Sequence, residues 1–117
     1  MTALETFRAR KREIEEEYPG RSMYSHEEIQ SLTEFEIRQI ARDKLTALGL
    51  YDSIMYMEVC FLEKSAEAQE QARKSYGREQ ERNLDLSITF RRKAKALNST
   101  FNLLQGFIEE ARNNGLW

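Results

Sequence analysis

Apolar residues in the second half of the chain recur three and four apart: Phe90, Ala94, Leu97, Phe101, Leu104, Ile108 and Ala111. That spacing places them on one stripe of a helix packed against another helix. No segment alternates with the period of a strand. The stripe predicts a helix over 84–113, closed by Gly115 and Leu116, a left-handed residue followed by an apolar one that folds back. Upstream, Asp52 is a good N-cap for a helix over 52–76. Its opening turns, Ile54-Met55-Tyr56-Met57-Glu58-Val59-Cys60-Phe61-Leu62, are apolar almost all round. A helix apolar on several sides is buried on several sides, within its own core or against a second subunit. After Leu62 the pattern thins, and Glu63–Asn83 offers only Ala66, Ala68, Ala72 and Tyr76 for burial.

Two earlier segments complete the set. Ser25 and Glu28 form a capping box that opens a helix over 26–48. Ile29, Leu32, Ile37, Ile40, Ala41, Leu45 and Leu48 would line one face, with Gly49 as terminator and Leu50 folding back. Thr33 and Glu36 form another box, which permits a restart or kink inside this stretch. Thr2 and Glu5 open a helix over 3–17, whose thin stripe is Leu4, Phe7, Ile14 and Tyr18 with Lys11 in its middle. Its acids, Glu13 and Glu15–Glu17, fall at the C-terminal end and oppose the helix dipole. This helix needs packing to persist. Pro19-Gly20 ends it, and a short connector over 21–24 follows.

These elements predict an all-α bundle of about four helices in a single domain, 1–117. The last two segments join in one of two ways. A turn near 76–83, helped by Gly77, gives an antiparallel hairpin. The rival is one long coiled-coil helix. Steps of three and four run unbroken from Phe90 back through Ser87, Asn83, Gln80, Tyr76, Arg73, Gln69, Ala66, Leu62, Val59 and Met55. A rod over 52–113 would be roughly 90 Å long and would need a partner chain. The hairpin is the expectation.

Composition narrows the function. The chain has 117 residues, 18 basic against 20 acidic, for a net charge of −2. That balance does not mark a general polyanion binder. Cys60 is the only cysteine, so no internal disulfide forms, which fits a reducing, cytoplasmic setting. The charged N-terminus lacks the apolar stretch of a signal peptide, and no apolar run approaches membrane-spanning length, so no membrane partner is expected.

Candidate chemistry is sparse. His26 is the lone histidine, short of what a di-metal carboxylate bundle needs, so no metal or cofactor is expected. Cys60, between Val59 and Phe61, reads as a buried thiol rather than a nucleophile. Phosphate-binding glycine loops and Ser/His/Asp arrangements are missing. The chain therefore reads as a non-enzymatic protein-interaction module, an adaptor, chaperone, inhibitor or regulator, acting as a homodimer. The expected interface residues are Ile54, Met55, Tyr56, Met57, Phe61 and Trp117, since Tyr, Trp and Met are enriched at interfaces. The alternative is a nucleic-acid-binding regulator. Its patch would be Arg91, Arg92, Lys93 and Lys95, a cluster with no acid between Asp85 and Glu109.

Overall fold

The computed structural model describes residues 2–17 and 24–117. Five helices and no strand occur among them: α1 (Ala3–Glu17), α2 (His26–Ser31), α3 (Glu34–Ala41), α4 (Lys44–Arg73) and α5 (Gly77–Asn113). The fold is an all-α bundle in which the two long helices, α4 and α5, pack against each other. The first helix falls where its capping box predicts, with the Thr2 hydroxyl accepting from the Glu5 N–H at 3.2 Å. The Pro19-Gly20 stop, Tyr18 and the connector up to Met23 lie outside the described residues.

The segment over 26–48 is not one helix. Thr33 caps α3 in an extended conformation (φ −78°, ψ 162°), and its hydroxyl accepts from the Glu36 N–H at 3.1 Å. A residue that caps with extended dihedrals cannot also continue the preceding helix, so the chain breaks at Leu32–Thr33. A second break follows at Arg42–Asp43. There the Asp43 carboxylate accepts from the Thr46 N–H (3.2 Å) and from the Thr46 hydroxyl, which caps the start of α4. These two bonds hold the Asp43 carboxyl below the usual carboxylate range.

Helix α4 therefore begins eight residues before the expected Asp52. Asp52 is buried inside the helix, and Gly49 continues it rather than ending it. Each break also resets the helical phase. Ile29, Ile37 and Ala41 are buried as the stripe requires, but Leu45 is 81% exposed and Leu48 stands at the surface. Ala47 and Leu50 take the buried places instead.

Between α4 and α5 the chain turns back at Lys74–Tyr76, so the hairpin holds and the rod does not. Gly77, in the left-handed region at φ 63°, permits the reversal. Helix α5 starts there rather than at 84. At its far end the Leu116 N–H donates to the Ala111 carbonyl (2.9 Å) and Gly115 (φ 73°) to that of Arg112 (3.0 Å). This is the Schellman ending that Gly115-Leu116 predicts.

The chain divides into two compact units, and α4 and α5 contribute to both. The first holds α1, α4 from Tyr56 and α5 up to Ala96. Its seam is rich in small residues: Ser65, Ala68 and Ala72 of α4, Ser75 in the turn, and Ser87 and Ala94 of α5 are all buried, as is Val59 of α4. The Ser65 hydroxyl lies 2.9 Å from the Ser87 carbonyl and 3.0 Å from its hydroxyl, which satisfies both polar groups inside the seam. Helix α1 adds buried Leu4 and Ile14. Polar contacts supplement them: Tyr56 hydroxyl to Glu15 (2.6 Å), Lys11 to Glu63 (3.4 Å) and Arg8 to Glu63 (3.7 Å).

The second unit holds α2, α3, α4 up to Met55, and α5 from Leu97 to the C-terminus. Its core is large and apolar: Ile29, Leu50, Ile54, Leu97 and Leu104 are essentially inaccessible. The buried Ser53 hydroxyl ties the start of α2 to α4, accepting from the Tyr24 N–H (3.0 Å) and donating to the Gly49 carbonyl (2.8 Å). Among the described residues α4 alone is long and apolar enough to cross a membrane, by length and composition. The mean hydropathy of its most apolar window is 1.3, with 33% of that window buried in the fold. Reading only uninterrupted runs missed this, because Asp52 and Glu58 divide the apolar residues.

Candidate interaction surfaces

The expected interface on α4 is largely occupied within the chain. No residue over 51–63 is exposed. Ile54 is fully buried in the second unit. Met55, Tyr56, Met57 and Phe61 are half-buried. Tyr56 is held by Glu15, and the hydrogen bond to that carboxylate, with burial, moves the phenol well above its ordinary pKa. Phe61 stacks on Phe90 with ring centres 6.3 Å apart, and the Lys93 ammonium sits 5.7 Å from its ring. Lys93 thereby leaves the basic cluster for a cation–π contact.

Arg91, Arg92 and Lys95 are exposed. They share the outer side of α5 with Leu84 and Ile88, an i,i+4 pair whose side chains are also exposed. The two arginines make no ion pair among the described residues.

Two titratable groups on α4 are shifted by burial. The Cys60 thiol is pushed up by burial, against the opposing pull of Lys11, so it is protonated at neutral pH and a poor nucleophile. The Glu58 carboxyl is likewise raised by burial, with Arg10 opposing. Among the described residues no three His, Cys, Asp or Glu side chains converge as metal ligands.

Trp117 turns back on the second unit. Its indole N–H donates to the Ala41 carbonyl at 2.8 Å, and the Arg112 guanidinium lies 5.0 Å from its ring. Beside it runs an open groove of about 590 Å³ between the first turns of α4 and the last turns of α5. Leu48, Tyr51, Gly106, Ile108 and Trp117 supply its apolar and flat surfaces, with Asn102, Gln105 and Glu109 at the edge. Tyr51 is braced from below by Phe101, ring centres 4.9 Å apart. A methyl group placed on Gly106 would meet nothing within 4 Å. A helical glycine costs about 1 kcal/mol relative to alanine, and nothing within the chain requires one here.

A second groove of about 500 Å³ lies between α3 and the end of α5. Phe35 and Leu116 stand exposed at its rim, and the Arg38–Glu110 ion pair (2.6 Å) spans it. Sequence reasoning singled out Trp117 but not Leu48 or Gly106 beside it. Placing a helix end at Gly49 hid Leu48 by assigning it to the core face of the preceding helix.

No family model matches the chain, and neither the curated proteins nor the solved structures compared with it give a match.

Proposed function

We propose that this protein is a non-enzymatic helical interaction module that binds a protein partner through apolar helix surfaces and associates as a homodimer. The groove beside Trp117 carries this reading. It joins an aromatic, amphipathic rim to a floor left open at Gly106, the form that receives a partner's helix. Aromatic anchors around a small residue allow close approach of a second backbone, and such positions dominate binding energy.

The test uses Gly106→Leu. The added side chain has open space, so circular dichroism and denaturation midpoint should match or exceed wild type. Light scattering at micromolar concentration should show a wild-type dimer and a monomeric variant. A wild-type chain that stays monomeric at high concentration removes the homodimer. A dimer untouched by Gly106→Leu removes the groove.

A second reading is a nucleic-acid-binding regulator that uses the outer side of α5. Arg91 and Arg92, exposed and making no ion pair among the described residues, favour it. Changing both to glutamine should abolish salt-sensitive binding to duplex DNA or RNA if this reading holds.

A further inference from the structure

The tip of the α4–α5 hairpin has a different character from either groove. Its sequence is Arg73-Lys74-Ser75-Tyr76-Gly77-Arg78, three cations with no acid among them. Arg73, Lys74 and Arg78 are exposed and make no ion pair among the described residues. Glu79, which follows, lies in the first turn of α5, where an acid complements the helix dipole. Tyr76 stands at the apex and is 88% exposed, the largest exposure of any large apolar side chain described. Its ring stands almost wholly in solvent, so burial does not account for an aromatic residue there.

The turn beneath it is held firmly. Ser75 is buried, and its hydroxyl donates to the Gln71 carbonyl at 2.9 Å. The Gln80 amide donates to the Ala72 carbonyl (3.1 Å), and the Asn83 amide reaches the Ser75 hydroxyl (3.4 Å). With Gly77 in the left-handed region, these bonds fix the chain reversal and leave the ring and the three cations outside it.

We infer that this tip binds single-stranded nucleic acid: Tyr76 stacks on an unpaired base while Arg73, Lys74 and Arg78 contact the flanking phosphates. Every base offers a flat face to a single aromatic ring, and cations beside that ring track the backbone without reading sequence. A duplex hides its base faces and would gain only the charge contacts. A bilayer fits less well, because anchoring by insertion wants several apolar side chains together and the tip has one ring. The site is independent of the groove beside Trp117 and of Arg91 and Arg92.

Fluorescence anisotropy with a fluorescein-labelled 20-mer of oligo(dT) or oligo(rU) tests it on the full chain. Binding at 50 mM salt should weaken roughly 20-fold at 200 mM, as about three phosphate contacts require. Tyr76→Ala should weaken binding by about 5- to 150-fold with the salt slope unchanged, and Tyr76→Phe should restore it. Each of Arg73→Gln, Lys74→Gln and Arg78→Gln should lower the slope by about 0.7. All four side chains are exposed, so circular dichroism should not change. The inference is overturned by absence of binding at 50 mM salt, or by Tyr76→Ala binding as wild type. It is equally overturned if only Arg91→Gln and Arg92→Gln release the oligonucleotide. Sedimentation with phosphatidylcholine–phosphatidylserine vesicles is the remaining arm. Tyr76-dependent vesicle binding without oligonucleotide binding would replace this ligand with a membrane surface.

Discussion

The two ends of the α4–α5 hairpin solve the same packing problem with different side chains. In the second unit, branched and long aliphatic residues fill the space: Ile29, Leu50, Ile54, Leu97 and Leu104. In the first, the buried residues of the long helices are serine and alanine apart from Val59, with the Ser65–Ser87 hydrogen bonds among them. Apolar burial scales with area, so the aliphatic core contributes more to stability. The small-residue seam brings polar groups together and gains less, because a hydrogen bond made on folding replaces one to water. Helix α1 adds two buried aliphatic side chains and ion pairs to the half-buried Glu63. One helix pair thus carries a firm end and a yielding end.

The sharpest way to break this contrast is Leu104→Ala. Its fully buried side chain should cost about 2–5 kcal/mol, read from the urea midpoint. If Leu104→Ala cost no more than Leu84→Ala, on the exposed side of the same helix, the contrast would fail. Next comes Ala72→Leu in the serine–alanine seam. Ala72 is buried, so a larger side chain must displace its neighbours and should cost about 1–3 kcal/mol. Neutral behaviour would mean that the seam is loosely packed. Native-state hydrogen exchange should then rank the units directly. Amides of α1 should open well before those of α5 over 97–111, and the reverse order would invert the reading.

The smallest effect is electrostatic. Burial raises the Glu58 carboxyl above its ordinary value, so the folded state favours the protonated form. The stabilisation linked to that proton is present below the ordinary carboxylate pKa and is lost as pH rises through the raised one. Glu58→Gln should therefore gain slightly in stability at neutral pH, and the gain should vanish in acid. A variant less stable than wild type at pH 7 would show that the ionised form is the one the fold uses.

The all-α class, the span of α1 and the burial stripe of α5 were legible because each rests on one local rule: a capping box or an unbroken period. The stretch over 26–48 misled because Thr33 and Asp43 act as caps within what reads as one periodic stripe. A cap changes the phase of everything after it, which is why Leu45 faces solvent and Ala47 does not. Heptad counting through Tyr76 also ran across a turn. Gly77 looks the same in sequence whether it sits within a helix or reverses the chain. At the groove, Trp117 stood out from residue type. Gly106 and Tyr76 did not, since their meaning lies in empty space around them rather than in neighbours along the chain.

The division of the hairpin sets an order in time. Everything the first unit needs, α1, α4 from Tyr56 and α5 up to Ala96, lies within the first 96 residues. The aliphatic core waits for Leu97, Leu104 and Ile108 and for the C-terminal turn that seats Trp117. During synthesis from the N-terminus, the serine–alanine end is complete before the aliphatic core has a second wall. For that interval Leu50 and Ile54 lack the α5 residues that complete their core, and among the described helices α4 is the one long and apolar enough to cross a membrane. The residues over 97–117 are those that close the core.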